Sequence, residues 1–486
     1  MKTKTMKRFF SLLLGMTMTA SLLTGCGGGN NAQTSDNGNQ GTEQGDEGSE
    51  KTDKTVTLTL GIWPEDTLTE DIEMHKGFVE EMGKLHPEVD CVPAYYKYST
   101  DTFMPMVESG NCPTIFESWY TEPQKLIKAG AVADITDYLE ERGWTDMNPT
   151  VKDLLSDENG RIYGIPRDGY ALGLMMNVEL FEEAGLVDED GYPIYPKTWD
   201  ELAETCKTIK DKTGSAGLCL LAKDNSGGWH FSNIAWAFGA NLVTDNGDGT
   251  YTSNLNSPEA IAAMEYVKSL KWDYKVLTDD PMSEDWGTGF TKLGTGAAAM
   301  YIAANDAVNQ PTQVNGLPVD KLAMCPIPAG DGGQYSLYGG TPYMFSKDAT
   351  PEQINAALDY LEIMGKAPVV SDASVAGMKS DAQNRVDNGV PVIKSLTAWD
   401  VPEFVEANQQ VVDEYTNVDP KMFQSYFDAT EVEGNLRAEE PGLTQDMYAE
   451  LTKVLQAVIT DENADVTELM NTANENYQAL LDGTYN

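Results

Sequence analysis

Two kinds of side chain in this sequence are suited to binding or cleaving a polyhydroxylated molecule. Aromatic faces pack against the C–H side of a pyranose ring, and carboxylates bond its hydroxyls. Of the nine tryptophans, four fall at predicted loop tips: Trp63, Trp119, Trp229 and Trp286. Glu117 and Asp168 are candidate carboxylates. They could form the acid pair of a glycosidase, or they could accept hydrogen bonds from sugar hydroxyls. Their spacing in the sequence does not separate these roles.

Strands that alternate with helices are predicted to position these side chains. Alternating or continuous apolar residues predict strands at 56–62, 89–96 and 114–116, and the segments between them read as helices. Strand and helix in alternation predict an α/β fold with a parallel sheet. Ligands of such sheets sit beyond the carboxyl ends of the strands. Trp63 and the segment Glu117–Tyr120 both fall there.

The sequence lacks the complete signatures of several enzyme and cofactor classes. It has no G-x-S-x-G elbow and only three histidines, of which His75 and His86 are predicted to lie on the surface. Gly294-x-Gly296 only loosely matches a dinucleotide fingerprint, since no clear strand precedes it. The segment 245–249 is predicted to be a hairpin turn, because it lacks the later ligands of a calcium loop. We expect neither a cofactor nor a metal site.

The cysteines beyond Cys26 are scattered rather than grouped: Cys91, Cys112, Cys206, Cys219 and Cys325. An odd set without C-x-x-C spacing is neither a disulfide framework nor a zinc site. Buried free thiols are the common state of such residues. Pairing of Cys91 with Cys112, or of Cys206 with Cys219, stays open.

The net charge of the chain is strongly negative, at −44. Such a charge argues against nucleic acid as a partner and against binding flat on an anionic membrane. About 18 consecutive apolar residues would indicate a transmembrane helix, and no stretch beyond the N-terminus approaches that length.

The N-terminus has the parts of a secretory signal. Four cations precede an apolar run at 9–23, and small residues lead to Cys26. Leu23-Thr24-Gly25-Cys26 resembles the lipobox of bacterial lipoproteins, in which the cysteine is acylated; an ordinary cleaved signal is the alternative. The polar segment 27–54 predicts a flexible tether. We therefore expect a signal peptide at 1–25, a lipid on Cys26 and a linker at 26–54.

Four motifs carry a resemblance to a known family. They are Tyr-Gly-Ile-Pro at 163–166, Leu-Phe-x-x-x-Gly-Leu at 180–186, Pro-Lys-Thr-Trp-Asp-Glu-Leu at 196–202 and Phe-x-x-x-Gly-x-Gly-Ala-Ala-Ala-Met at 290–300. Together they resemble the family 1 extracellular solute-binding proteins, the sugar-binding lipoproteins of bacterial ABC importers related to maltose-binding protein. The resemblance extends from about residue 55 to the end of the chain.

The resemblance implies a fold and a function. The fold is the type II periplasmic-binding-protein fold, with two α/β lobes joined by a hinge and a ligand cleft between them. We expect lobe 1 from 55–165 plus 330–385 and lobe 2 from 166–329 plus 386–486. Such a protein is not an enzyme. It captures a carbohydrate, here a neutral oligosaccharide, by hinge closure, and delivers it as a monomer to the transmembrane subunits of an ABC permease.

This function implies a location and leaves two alternatives. The protein would lie on the extracellular face of the bacterial cytoplasmic membrane, attached only through its N-terminal lipid. One alternative is a secreted glycoside hydrolase that uses Glu117 and Asp168. The other is a surface adhesin without a small ligand.

The resemblance also implies positions for ligand contacts. Asp168 stands where the family often places a carboxylate, and Trp229 stands where an aromatic side chain stacks. Asn305 and Asp306 follow the Ala-Met motif, but no aromatic residue accompanies them, so maltose specificity does not transfer. Arg167 could clamp the carboxylate of a uronic acid or could be salt-bridged. The complete set of predicted ligand-binding residues is Trp63, Glu117, Trp119, Tyr120, Asp168, Trp229, Trp286, Asn305, Asp306, Tyr338, Gly339 and Gly340.

Overall fold

The computed structural model describes residues 55–485, apart from the side chains of Thr150 and Asp168. The predicted signal peptide, lipidated Cys26 and linker lie outside the described residues. The helices are α1 Thr69–Leu85, α2 Thr100–Glu108, α3 Pro123–Lys128, α4 Thr136–Arg142, α5 Pro149–Leu155, α6 Val178–Ala184, α7 Trp199–Thr213, α8 Ser226–Ala237, α9 Pro258–Trp272, α10 Trp286–Gly294, α11 Pro351–Ile363, α12 Asp372–Asp387, α13 Pro402–Tyr415, α14 Lys421–Thr430, α15 Thr444–Thr460 and α16 Val466–Tyr485.

The strands alternate with these helices over the first part of the chain, as predicted. They are β1 Val56–Leu60, β2 Val89–Pro93, β3 Ile115–Glu117, β4 Gly164–Asn177, β5 Ala216–Cys219, β6 Val243–Asp245, β7 Tyr251–Ser253, β8 Ala298–Ala304, β9 Leu322–Cys325, β10 Ser336–Phe345 and β11 Leu436–Ala438. The short hairpin β6–β7 confirms the turn predicted at 245–249.

Local sequence signals fix several helix starts. The hydroxyl of Thr198 accepts a hydrogen bond from the backbone N–H of Glu201, and the hydroxyl of Ser257 caps the start of α9 in the same way. Thr350 and Gln353 form a reciprocal capping box at the start of α11. Each cap satisfies a backbone N–H that has no partner within the helix.

The strands form one main sheet in the order β2-β1-β3-β10-β4-β8-β5, with β9 paired to β4 and β11 paired to β10. Strand β1 pairs in parallel with β2 and β3, which confirms the predicted parallel arrangement at this end. At the other end, β5 runs parallel to β8. The fold is therefore a mixed α/β structure in which β4 and β10 are the central antiparallel pair.

The pairing of β4 with β10 is interrupted by a β-bulge. Pro166 pairs with Pro342, and Gly169 pairs with Gly340. Arg167 and Asp168 therefore lie opposite the single residue Thr341. A bulge of this kind bends a strand and redirects its side chains.

Most of the buried apolar side chains of residues 55–485 belong to two large cores, which define two halves of the molecule, and two smaller clusters accompany them. The first half is the set of segments around the core that contains Leu60, Phe78, Tyr343 and Leu358. The second half surrounds the core that contains Leu174, Trp236, Met300 and Leu451. Strands β4 and β10 contribute residues to both cores and so connect the halves. Helix α13 adds Phe404 and Val411 to the first core. The lobe boundaries expected at 165, 330 and 385 stay a prediction.

Other expectations concern single residues. Within the described part of the chain, no two cysteines form a disulfide; Cys206, Cys219 and Cys325 are buried. Trp199 and Trp236 are buried core residues. No helix in the region 55–485 combines the length and the apolarity that crossing a membrane requires.

Candidate functional site

A cleft of about 460 Å³ lies where the two halves meet. The first half contributes the loop after β1, the start of α1 and the end of α12, and the second half contributes the start of α10 and residues 306–313. The carboxyl ends of β1 and β3 open into this cleft, as the parallel arrangement predicts. Its chemically active side chains come from at least five separate segments of the chain: Trp63, Glu65, Asp71, His75, Tyr95, Tyr96, Glu117, Arg167, Trp286, Asp306, Gln310, Gln313, Lys366, Asp381, Asn384 and Arg385.

Four of the predicted ligand-binding residues line the cleft. Trp63 and Glu117 come from the first half, and Trp286 and Asp306 come from the second half. Trp63 is only 9% exposed, because its ring lies edge-on against the ring of His75 with the centroids 5.5 Å apart. The cleft thus combines an aromatic side chain and a carboxylate from each side.

A second group of predicted residues lies beside the cleft rather than among the residues that line it. Trp119 packs edge-on against Tyr98 with ring centroids 5.2 Å apart. The side-chain oxygen of Asn305 accepts hydrogen bonds from the backbone N–H of Ala171 and from the hydroxyl of Tyr426, each at 3.0 Å. Asn305 therefore holds β4 against α14. The side chain of Asp168 is outside the described set, so its position stays a prediction.

The predicted glycines accommodate aromatic rings. A Cβ atom at Gly340 would lie 2.2 Å from the ring of Tyr120, and one at Gly339 would lie 2.5 Å from the hydroxyl of Tyr170. Tyr120 is buried against this strand, and Tyr338, which belongs to the strand, is buried over Gly169 of β4. The glycines thus allow rings from both sides to pack directly onto the backbone of β10.

Trp229 packs against Trp286, which lines the cleft. Their rings are edge-to-face with centroids 5.2 Å apart, and Tyr170 lies edge-on to Trp229 at 6.3 Å. Beside them, His230 is fully buried, and this burial lowers its pKa to about 3. These rings form an apolar platform on the second half.

Arg167 connects the two halves at the cleft. Its guanidinium donates to Glu117 Oε1 at 3.2 Å and to Asp306 Oδ2 at 3.1 Å. All three side chains are between 26% and 32% exposed. The bulge in β4 places Arg167 between the carboxylates, and charge-assisted bonds of this kind are stronger than neutral ones. Of the two alternatives for Arg167, the structure shows a salt-bridged residue.

His75 is a residue whose surroundings the sequence interpretation got wrong. It is 6% exposed and lines the cleft instead of lying on the surface. The helical period places His75 on the same face of α1 as Phe78 and Met82, which is the face that packs into the core. Its Nδ1 lies 3.0 Å from the hydroxyl of Tyr360. Burial lowers the pKa of His75 to about 4, although Asp381 opposes this shift, so the ring is neutral near pH 7.

Sequence reasoning also missed the charged residues of α12 and its neighbours. Asp381 bonds Arg385 at 3.0 Å, and the amide of Asn384 bonds the carboxylate of Asp71 at 2.8 Å. Burial raises the pKa of Asp71. The spacing of Asp381 and Arg385 is that of a surface ion pair on a helix. Only the tertiary packing of α12 against α1 brings this pair to the cleft.

Comparison with known proteins identifies the family. Residues 68–368 match the bacterial extracellular solute-binding proteins, so the chain belongs to that family. A putative binding protein of Brucella abortus (strain 2308) is 27% identical over 226 residues, which are 45% of this chain and 49% of the relative. The diacetylchitobiose binding protein DasA of Streptomyces coelicolor is 30% identical over 209 residues, which are 41% of this chain and 46% of the relative. The chain thus spans about half the length of the curated relatives it matches.

Solved structures confirm the fold. The GacH receptor of Streptomyces glaucescens superposes with a TM-score of 0.66 at 20% identity, over 89% of this chain and 99% of that one. Maltose-bound T. maritima MalE3 superposes with a TM-score of 0.64 at 18% identity, over 87% and 99%. The chain therefore has the type II periplasmic-binding-protein fold that the resemblance implied.

Proposed function

We propose that this protein is the substrate-binding component of a bacterial ABC importer and that it captures a neutral oligosaccharide in the cleft between its halves. The observation that carries the proposal is the composition of the cleft, in which each half contributes an indole and a carboxylate. Flat apolar faces and hydrogen-bonding groups are what a pyranose requires. DasA is named for diacetylchitobiose, and MalE3 was solved with maltose bound.

The charges around the cleft favour a neutral ligand over an acidic one. Its lining contains the acids Glu65, Asp71, Glu117, Asp306 and Asp381 but only the cations Arg167, Lys366 and Arg385. Arg167 already bonds two of these acids, and Arg385 bonds a third. A uronic acid would add a further negative charge to this surplus, which costs free energy in a partly desolvated site.

Ligand contacts to both halves would stabilise the closed form over the open one. Strands β4 and β10 connect the halves. They contain the glycines and the bulge that would allow such a hinge. In this proposal no bond is made or broken.

The hydrolase alternative has less support. A general acid must donate a proton, whereas the Glu117 carboxylate accepts hydrogen bonds from a guanidinium. The adhesin alternative leaves the lined cleft without a purpose.

The proposal includes a lipid anchor on Cys26 and delivery to permease subunits in the membrane. The linker expected at 26–54 would keep the body close to the transporter and raise its local concentration. Replacing Cys26 with Ala should release the protein from the membrane fraction of a Gram-positive host into the medium. Retention of the variant on the membrane would contradict lipid anchoring at this cysteine.

A thermal-shift screen tests the ligand class. Neutral oligosaccharides and uronic-acid oligosaccharides of matched length are compared, and a ligand at about 100 times its Kd adds about 2.7 kcal/mol to the free energy of unfolding. We expect a shift with neutral sugars only, with intact sugar recovered afterwards. Recovery of cleaved sugar would support the hydrolase. If none of the sugars shifted the melting temperature, the adhesin would be favoured.

Single tryptophan variants test the platform. Trp286→Ala and Trp229→Ala should each abolish most of the ligand-induced shift, because they remove the apolar face for the pyranose. Trp272→Ala is a matched control, since Trp272 is half-buried on α9 and bonds the backbone of Val458 instead of facing the cleft. If the cleft variants retained wild-type affinity, the two residues would be removed from the proposed site.

A further inference from the structure

Two carboxylates from opposite halves converge on the hinge strand β10. On the first half, the backbone N–H of Tyr120 donates to the carbonyl of Gly340 at 3.2 Å, and Glu122 follows two residues later at the start of α3. On the second half, β11 pairs Ala438 with Tyr338, so that the next residue, Glu439, lies beside Gly339. The two acids thus flank the glycines at which β10 passes from one half to the other.

Each of the two acids accepts a hydrogen bond from a tyrosine hydroxyl. Glu122 is 3% exposed and accepts a hydrogen bond from the hydroxyl of Tyr98 at 3.1 Å. Glu439 accepts one from the hydroxyl of Tyr448 at 3.0 Å. The titratable groups that act on Glu439 from neighbouring elements are Tyr448 of α15, Tyr170 of β4 and Glu122 itself.

Glu122 experiences both signs of charge. Lys125 of α3 favours its ionised form, while Asp446 of α15 opposes it. Burial is the largest influence, and it raises the pKa of Glu122. Burial likewise raises the pKa of Glu439 to about 7, and the charge of Glu122 adds to this shift. Two partly desolvated like charges cannot both ionise without cost.

A neighbouring hydrogen bond shows that the halves touch here. The amide of Gln445 on α15 donates to the hydroxyl of Thr121 at 3.2 Å, next to Glu122 in the sequence. Any motion that opens the cleft about β4 and β10 changes this contact and the separation of the two acids.

We propose that Glu122 and Glu439 form a proton-sensitive contact between the halves, in which uptake of one proton favours the closed arrangement of the cleft. This inference rests on the hinge closure of the proposed function but not on the identity of the ligand. It makes the protein a receptor that closes more readily in mildly acidic surroundings.

The direction follows from proton linkage. In the proposed opening, Glu439 moves away from the charge of Glu122 and its pKa falls toward the ordinary value of about 4.5, so the closed form binds more protons than the open form. A complete return from a folded pKa of about 7 would raise the closed-to-open ratio about tenfold between about pH 8 and about pH 6, which is the upper limit of the response. His75 and His230 stay neutral in this window, since burial holds their pKa at about 4 and about 3. His86 lies near Glu88 and Asp359, which both belong to the first half.

The test measures the distance between the halves in the complete, ligand-free protein. Azide-bearing amino acids at Leu85 and Ile194, which are 52% and 54% exposed on opposite halves, carry a fluorescence-transfer pair. We expect the closed-to-open ratio to rise by up to about tenfold from about pH 8 to about pH 6. The Glu439→Gln variant should be mostly closed already at about pH 8 and should lose the pH response. The Glu122→Gln variant should also be more closed than the wild type at about pH 8 and should show a smaller pH response.

Glu433→Gln is the matched control, because Glu433 is exposed and lies just before β11. It should keep the wild-type response. The inference is overturned if the wild type does not respond to pH or if both Glu122→Gln and Glu439→Gln respond as the wild type does. A pH response without any sugar shift would leave this inference standing while the proposed ligand class fails. A sugar shift without a pH response would support the proposed ligand class and overturn this inference.

Discussion

Two contacts between the halves lie on the same pair of strands, and they are built with opposite electrostatics. At the cleft, the guanidinium of Arg167 lies between a carboxylate of each half, Glu117 and Asp306. Near Gly339–Gly340, Glu122 and Glu439 each accept a hydrogen bond from a tyrosine hydroxyl, and the charge of Glu122 contributes to the raised pKa of Glu439. The first contact pairs opposite charges, and in the proposed scheme the second becomes favourable only when a proton is taken up.

This comparison shows that an attractive and a repulsive contact can lie only a few residues apart along the same strands. Arg167 stands in the bulge of β4, only two positions before Gly169, which pairs with Gly340. Without the bulge, the alternation of side chains along a strand would turn the following residues to the opposite face. The register of β4 and β10 therefore decides which charges meet across the hinge.

Removing the cation at the cleft should have the largest effect on this comparison. Arg167→Met leaves Glu117 and Asp306 close together without their shared partner, and we expect a loss of roughly 2–3 kcal/mol in the free energy of unfolding. Denaturant unfolding at neutral pH measures the loss. Adding Glu117→Gln and Asp306→Asn to the variant should recover most of it. An unchanged unfolding free energy in Arg167→Met would show that the bridge contributes nothing.

Replacing Gly340 should disturb the second contact and spare the first. In Gly340→Ala, the new Cβ would meet the ring of Tyr120 at 2.2 Å, so Tyr120 and the adjacent Glu122 must shift, at a cost of about 2 kcal/mol. Gly77→Ala is the control, because nothing lies within 4 Å of a Cβ at that helical position. The fluorescence-transfer assay should then show a weaker pH response. A full response in Gly340→Ala would mean that Tyr120 does not position Glu122.

Neutralising Glu439 should change how stability depends on pH. Because the folded pKa of Glu439 is raised to about 7, the wild type has its full stability at low pH and loses some as pH rises toward 7. Glu439→Gln should be more stable than the wild type by roughly 1–2 kcal/mol at about pH 8 and nearly equal to it at about pH 4.5. Unfolding curves at both pH values check this. A constant difference at both would point to altered packing instead of a removed charge.

Salt should produce the smallest effect and should reveal the signs of the two contacts. Screening weakens an attractive pair and relieves a repulsive one, by less than about 1 kcal/mol for partly exposed groups. Relative to the wild type, Arg167→Met should gain more stability from added salt than Glu439→Gln does. The comparison removes the general effect of salt on a chain with a net charge of −44. The opposite order would contradict the assignment of attraction and repulsion.

Much of the secondary structure could be predicted from the sequence. Period-2 and period-3.6 patterns predicted strands and helices close to β1, α1, β2 and β3, and residues such as Thr198, Ser257 and Thr350 marked helix starts. These signals are local, because they depend on backbone geometry and on neighbours within one turn. The family motifs at 163–202 and 290–300 gave the fold, which the solved structures confirm.

The candidate site could be predicted only in part. Trp63, Glu117, Trp286 and Asp306 line the cleft, whereas Asp71, His75, Lys366 and Arg385 were missed. Asp71 and His75 on α1 and Arg385 on α12 lie on helices whose patterns indicate ordinary surface or core positions, and Lys366 lies in the loop between α11 and α12. Their role depends on which face of α1 packs against α12, and about 300 residues of chain separate these helices.

The amino-acid sequence alone therefore determined the types of side chain available, the element that carries each of them and the family to which the chain belongs. The tertiary structure decided which charges face one another. Arg167 has its partners because a bulge in β4 places it between the halves. Glu122 influences the pKa of Glu439 because the segments that follow β3 and β11 both lie beside the same glycines of β10. Electrostatic interactions depend on distance and burial, which residues far apart in the sequence acquire only when the chain has folded.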